Sequence, residues 1–389
     1  MSIFPWTFIT SIILFLLPLI LPVGIYFFFL QQRPYLYFRG EEISRFFEKS
    51  QIAVSVFSPT FWLCVPGLSG VLSTVFAWGI DGSSHDNVLW NQASTDDDDV
   101  LLETVANHGG AEVGIAWSGW EEGRVKNSSL KLGVELTGYV GVLVIVRHGL
   151  GGSLEAGLVD DLKKRAFGVW LISEIYLPGV GGTKGWSGAG LSVENELQAA
   201  TEKISAKIGG SHIPKVIVAF GLGGTALLNF LGGIGSNSYQ AAAVISPALQ
   251  NLDTMMLKNN PVTRWLLTVG KSFLKDNADF INIKHPDVVH ACLASDHLQE
   301  FYSNLYDKAF SSNTYGAIDA LAIPTLFILS RDDPFVDWES VDLLRLIKNK
   351  HVAVSVTERG GYCGFLHGMN AERWCNALAI DFLTLSTSK

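Results

Sequence analysis

The run Tyr139–Val146 (YVGVLVIV) is apolar and largely β-branched throughout, and it ends in Arg147-His148-Gly149. A strand with one wet face alternates polar and apolar residues, whereas an unbroken apolar run marks a strand buried on both faces, as in a parallel sheet. Runs of the same kind recur at Lys215–Phe220, Ala241–Ser246, Ala322–Ser330 (AIPTLFILS) and Val352–Thr357, and Gly168–Glu174 reads as a further strand. Between them, Asp160–Ala166, Val193–Ile208 and the stretch from Thr225 onward have helical patterning. Strand and helix in alternation at these spacings predict an α/β fold built on a doubly wound, mostly parallel sheet. Upstream, Val100–Val105 and Glu112–Trp117 read as short strands joined at His108-Gly109-Gly110, a hairpin-like turn. Helical, aromatic-rich sequence from Gln250 to Asp319 interrupts the rhythm where a cap over a site would be inserted.

Composition narrows the function classes. With 48% hydrophobic and 17% charged residues and 39 glycines, the chain is too apolar for disorder and too glycine-punctuated for a coiled coil. A net charge of −9 and the lack of a long basic run argue against nucleic acid as a partner. Cys64, Cys292, Cys363 and Cys375 lack metal-ligand spacing and read as reduced, mostly buried thiols. The acidic run Asp96–Asp99 reads as a solvated turn. No metal site and no cofactor are expected. The tryptophans, Trp62, Trp170 and Trp265 among them, read as core and cap packing.

From Ser2 to Gln32 there is no charged residue, and residues 3–30 are almost wholly apolar. About 20 such residues span a bilayer core, so this stretch predicts a retained N-terminal transmembrane helix, kinked at Pro18 and Pro22. A cleaved signal peptide would want a basic leader and small residues at its end. Arg33, Arg39, Arg45 and Lys49 follow the span and no basic residue precedes it. The positive-inside rule then predicts a single-pass membrane protein with its globular part on the cytoplasmic or mitochondrial matrix side. The lone sequon Asn127-Ser128-Ser129 is weak support for a lumenal domain. A second uncharged stretch, Gln51–Ile80, is broken by Ser58-Pro59, Pro66-Gly67 and Ser69-Gly70, and reads as a folded segment packing on the domain rather than a second span. The expected division is an anchor at 1–32, a juxtamembrane segment at 33–95, and an α/β domain at 96–389 with its cap at about 250–319.

Three places fall at the C-terminal ends of predicted strands, where open α/β sheets build their sites. The first is Ala219-Phe220-Gly221-Leu222-Gly223-Gly224, a strand-to-helix turn. A hydrolase elbow there would read Gly-x-Ser-x-Gly; here Gly221 holds the nucleophile's position and has no side chain with which to attack. The second is Asp332-Asp333-Pro334-Phe335-Val336 after AIPTLFILS, with Asp333 the better-placed acid and Asp332 the second choice. The third is Gly360-Gly361-Tyr362-Cys363-Gly364-Phe365 after the last strand. Tyr362 stands where a general base would be, and a phenol of reference pKa about 10 is a poor base at neutral pH. Cys363 and His367 lie close by in sequence as conceivable substitutes.

These motifs, in this order, resemble the α/β-hydrolase-domain family of membrane-anchored lipases and esterases, in the branch of embryogenesis-associated and phospholipase-like members. The resemblance runs from about Ser58 to Phe382. It includes Ser58-Pro59-Thr60-Phe61-Trp62, His108-Gly109-Gly110-Ala111-Glu112-Val113 and His148-Gly149-Leu150-Gly151-Gly152-Ser153. It implies an α/β-hydrolase fold with a helical cap, and an oxyanion loop at His148-Gly149-Leu150 whose Leu150 N–H pairs with that of Leu222 beside Gly223 and Gly224. It also implies a triad of which Gly221, Asp333 and Tyr362 are the degenerate positions. A further loop of the family is degraded here to Tyr176-Leu177-Pro178-Gly179.

The expectation is therefore a membrane-anchored pseudoenzyme, a scaffold or accessory subunit of a membrane protein complex, with lipid held under the cap as a further option. The alternative is an active lipid or acyl-ester hydrolase using other residues, such as Cys363 or Ser153 with His148 or His367.

Overall fold

The computed structural model describes residues 31–60, 68–79, 100–106, 112–118, 125–127, 134–136, 139–147, 156–178, 183, 194–209, 213–249, 261–276, 286–305 and 314–387. The first described elements are β1 (Tyr35–Phe38), α1 (Glu41–Lys49), α2 (Gln51–Val54) and α3 (Ser69–Gly79). Then come β2 (Val100–Ala106), β3 (Glu112–Ser118), β4 (Val125–Asn127), β5 (Val134–Leu136) and β6 (Gly141–Arg147). An alternating stretch follows: α4 (Ala156–Ala166), β7 (Trp170–Tyr176), α5 (Glu194–Lys207), β8 (Lys215–Phe220), α6 (Gly221–Gly232) and β9 (Ala241–Ile245). Four described helices come next, α7 (Pro261–Asp276), α8 (Pro286–Ala294), α9 (Leu298–Leu305) and α10 (Thr314–Asp319). The last elements are β10 (Thr325–Ser330), α11 (Leu343–Leu346), β11 (Val352–Thr357), β12 (Leu366–His367), β13 (Glu372–Arg373) and α12 (Trp374–Thr387).

Among the described residues nine strands form one sheet in the order β1-β11-β10-β9-β8-β6-β7-β3-β2. From β11 across to β7 every pairing is parallel. Antiparallel strands close both edges, β3 and β2 on one side and β1 on the other. This is the α/β-hydrolase fold. The expected strands are present with small shifts. β7 begins after Gly168, whose φ of +79° makes a turn, and β9 stops before Ser246 at φ +49°.

The period of two along each strand sorts the core into two layers. In β8, Ile217 and Ala219 join one cluster with Val142, Val144, Leu197, Ile204, Leu227 and Phe230, on the side of α5 and α6. Val216, Val218 and Phe220 join the other with Phe46, Leu158, Leu162, Leu378 and Phe382, on the side of α1, α4 and α12. All of these strand residues are fully buried, which explains the unbroken apolar runs.

The strand order also places the site. β6 is flanked by β7 on one side and β8 on the other, so successive crossovers leave it in opposite directions. Such a switch point opens a crevice beyond the carboxyl ends of the strands. Arg147 ends β6 and Gly221 follows β8 at that edge.

The expectation of a single-pass membrane protein is corrected. Among the described residues no helix is long and apolar enough to cross a membrane. The uncharged stretch Gln51–Ile80 contributes α3, whose 11 residues span only about 16 Å at 1.5 Å per residue, against a hydrocarbon core of about 30 Å. Residues 1–30, on which the anchor was read, lie outside the described residues, as do the acidic turn at 96–99 and the turn at 108–110.

Candidate functional site

Gly221 is the first residue of α6 and adopts φ +52°. An L-residue rarely takes this left-handed conformation, and a hydrolase elbow forces its nucleophile into it. The strand-to-helix turn has therefore kept the elbow's shape. The space above it is filled. A Cβ built on Gly221 would collide with the Tyr362 hydroxyl and lie 2.8 Å from the ring carbon that bears it. The phenol oxygen thus occupies the place where a side chain at 221 would begin.

Tyr362 is held there by its loop. Gly360 and Gly361 each donate their N–H to Asp332 Oδ1 at 2.8 Å. Tyr362 N–H donates to Thr74 Oγ1 of α3 at 2.8 Å, and Cys363 N–H donates to Ser246 Oγ at 3.0 Å. Phe365 N–H closes the loop onto the Gly360 carbonyl at 2.8 Å. Within this loop Gly361, Cys363 and Phe365 all have positive φ, at +64°, +57° and +42°. Strained conformations of this kind persist only where the surroundings over-determine them, and they cluster at functional sites. The Tyr362 ring also packs edge-on to Phe335, centroids 4.8 Å apart and planes at 82°.

The two aspartates divide their work differently from a simple acid and its neighbour. Asp333, the sequence's choice for the acid, is buried at 4% exposure and its Oδ1 accepts the Phe335 N–H at 2.8 Å. Asp332 is the organiser. Besides the two glycine N–H groups it accepts Ser330 Oγ–H at 2.6 Å and Ser69 Oγ–H at 2.7 Å. It ties β10, α3 and the Tyr362 loop into one unit. Gly70 of α3 fits directly on the Asp332 backbone, where a Cβ would lie 2.8 Å from the carbonyl carbon. Sequence reading missed α3 as a wall of the site; its small residues Ser69-Gly70 and Ser73-Thr74 were the available signal.

Leu222 follows Gly221 and packs into an apolar cluster with Leu266, Phe301, Tyr302 and Phe335, with Tyr362 at its edge. Gly223 and Gly224 are buried in the same first turn, and Gly224 sits against Pro247. Helices α7 to α9 thereby cover the elbow with aliphatic and aromatic side chains. His148, Gly149 and Leu150, the residues of the expected oxyanion loop, lie outside the described residues, as does Ser153. The strand leading to that loop carries a buried network missed from sequence. Glu174 accepts Arg147 at 3.1 Å, Lys163 at 2.7 Å and the Tyr176 hydroxyl at 3.2 Å. Burial alone would push the Glu174 carboxyl up, but Lys163 and then Arg147 outweigh it and hold it below the ordinary range. A lone glutamate in the apolar run Trp170–Tyr176 was its sequence signal.

The suggested substitutes are engaged elsewhere. His367 Nδ1 accepts the Ser58 N–H at 3.0 Å, and its ring stacks on Phe57. Burial lowers its pKa more than Glu372 raises it. Cys363 is buried, with its thiol turned to the Ile245 carbonyl at 3.7 Å. Gly221, Tyr362, Leu222 and the Asp333-Phe335 segment are therefore brought together, while His367 belongs to the junction with the N-terminal segment.

No protein-family model matches the chain. It is 27% identical over 269 residues to "Putative esterase YheT" of Escherichia coli (strain K12), covering 62% of this chain and 76% of that protein. It is 28% identical over 178 residues to "Phospholipase ABHD3" of Homo sapiens, covering 40% of this chain and 42% of that protein, so it spans less than half the length of that relative. Among solved structures, an esterase of Pyrococcus furiosus is similar at a TM-score of 0.47 and 14% identity, covering 74% of this chain and 91% of that one. A hyperthermophilic esterase of Pyrobaculum calidifontis has a TM-score of 0.47 at 12% identity, covering 80% and 92%. The chain carries the α/β-hydrolase fold and is similar in sequence to proteins named as an esterase and a phospholipase.

Proposed function

We propose that this chain is a lipase-like α/β-hydrolase-fold protein that holds an acyl ligand without turning it over by serine–histidine catalysis, and that it serves as a binding or accessory module. One observation carries this reading: the Tyr362 hydroxyl fills the space of a side chain on Gly221. A triad needs a nucleophile at the elbow and an imidazole to take its proton. The first position has no side chain, and the second holds a phenol pressed against it. The apolar cluster around Leu222, Phe301 and Phe335 supplies a setting for an acyl chain.

A second reading is an active acyl-ester hydrolase working through other residues, and the comparisons favour it more directly, because the similar curated proteins are named for hydrolysis. The buried Asp333 after β10 also suits it. Steady-state assay of the purified full chain against medium-chain esters and phospholipids separates the two. The first reading expects no sustained turnover above buffer. Sustained turnover abolished by a single substitution at a chemically competent residue would replace it with the second.

A further inference from the structure

Helices α1 and α12 pack together through Phe46 and Phe382, whose rings meet edge-on with centroids 4.7 Å apart. Beside that contact they frame a cavity of about 320 Å³. Pro324, the residue before β10, contributes to its wall. The six residues of β10 rise about 3.3 Å each, so the cavity lies roughly 20 Å from Asp332 and Asp333 beyond the strand's other end. Its lining has two halves. Ile43, Phe46, Pro324 and Leu385 make an apolar side, the first three of them buried. Glu42, Arg45 and Lys49 line it as exposed side chains, so they stand where the cavity meets solvent. Arg45 and Lys49 are four residues apart and therefore share a helix face, a spacing at which like charges repel. Lys49 suits the C-terminal turn, where a cation offsets the helix dipole, but Arg45 in the middle of this nine-residue helix has no such reason. Among the described residues neither cation forms an ion pair, and Glu42, one turn earlier, bridges to neither.

We propose that this cavity is a second ligand site, remote from the elbow, for a small amphiphile with one carboxylate head and a short apolar arm, such as a medium-chain fatty-acid anion. The head takes Arg45 and Lys49 through charge-assisted hydrogen bonds. The arm lies against Ile43, Phe46, Pro324 and Leu385. Glu42 sets the charge of the head. Two cations against one carboxylate leave the rim singly positive, which matches a monoanion and repels the second charge of a dianionic phosphate. Volume sets the length of the arm. Ligand pockets run from about 300 to 1,000 Å³, so this one is at the small end and excludes a two-chain lipid. The site shares no residue with the elbow, and the inference stands whichever chemistry the elbow performs.

The full chain is titrated calorimetrically with octanoate, and with acetate, inorganic phosphate and octylammonium for comparison. Octanoate is expected to bind saturably, and Arg45→Gln with Lys49→Gln to weaken it about tenfold or more. Glu42→Gln should tighten it, because the one opposing charge is gone; a purely structural role for α1 gives no reason for that. All three side chains are exposed, so the variants are expected to melt as wild type does. The opposite sign of Glu42→Gln keeps the test decisive even should the double variant fold poorly. Acetate, lacking the arm, and octylammonium, carrying the wrong charge, should each bind far more weakly. Octanoate binding that the double variant leaves unchanged would place the ligand elsewhere, as in the apolar cluster around Leu222 and Phe335, and would overturn the inference while leaving the proposed function standing. No octanoate binding, no tightening in Glu42→Gln, or phosphate or octylammonium binding as tightly as octanoate would each overturn it too.

Discussion

The hydroxyl of Tyr362 and the missing side chain of Gly221 compete for one volume, so the two positions are coupled. Gly221→Ser is expected to destabilise rather than restore. A serine must enter at φ +52° and displace the phenol, at a combined cost of roughly 2–4 kcal/mol. Adding Tyr362→His shortens the opposing ring and removes the collision. In urea unfolding the double variant should be more stable than the sum of the single changes by about 1–3 kcal/mol. Additive effects would mean that the two residues do not share that space.

The aspartate that matters for folding is expected to be Asp332 rather than Asp333. Asp332→Ala strips acceptors from the Gly360 and Gly361 N–H groups, Ser330 and Ser69. Leaving such donors unsatisfied costs about 1–3 kcal/mol each where they are buried, and water reaching this partly buried loop recovers some of it. A net loss of roughly 2–4 kcal/mol in thermal or urea unfolding is expected. Loss of the Tyr362 edge-on contact with Phe335 should accompany it as a change in near-ultraviolet circular dichroism. An Asp332→Ala protein as stable as wild type would remove Asp332 from its organising role.

The fold was legible because its strands are buried on both faces: Lys215–Phe220 and Val352–Thr357 have the same limits in sequence and structure. The elbow turn and the aspartate pair were legible too, since their signal is local. What could not be read is where separate segments meet. Gly221 and Tyr362 each looked like a simple loss, and only the packing of the loop after β11 onto α6 shows one filling the other's place. Asp332 looked like the lesser of two acids because its partners come from α3 and from residues 360 and 361. His367 looked like a spare base until Ser58 and Phe57 claimed it.

Glu174 makes a third prediction. Its carboxylate serves Arg147 and Lys163, and Arg147 and Glu174 are 3% and 2% exposed. Glu174→Gln leaves buried positive charge uncompensated and should cost about 3–5 kcal/mol. Its folded pKa lies below the unfolded one, so the unfolded chain binds the extra proton as pH falls. The stabilisation is present above the ordinary glutamate range, and is lost as pH drops through the lowered folded value. The wild-type melting temperature should therefore fall more steeply on acidification than that of Glu174→Gln. Parallel acid limbs for the two proteins would contradict this assignment.

His367 titrates in a different window and reports on a different part of the molecule. Burial lowers its folded pKa below the ordinary histidine value, against a smaller opposing pull from Glu372. The unfolded state then takes up the proton first, so stability is present above the ordinary value of about 6.5 and declines as pH falls through the lowered folded one. The structural consequence is specific. A proton on Nδ1 ends its role as acceptor for the Ser58 N–H, which is held at 3.0 Å. Thr60 N–H also donates to the Leu366 carbonyl at 3.0 Å, and Gly368 N–H donates to the Ser58 carbonyl at 2.8 Å. This junction docks the N-terminal segment beside the loop that carries Tyr362. Amide hydrogen exchange at residues 57–60 should therefore speed up between about pH 7 and pH 5, after correction for the intrinsic rate. Amides in β8 should stay protected over the same range. His367→Phe preserves the stack on Phe57 but lacks the acceptor, so its exchange at residues 57–60 should be fast at both ends and flat with pH. A pH dependence that survives in that variant would place the titrating group elsewhere.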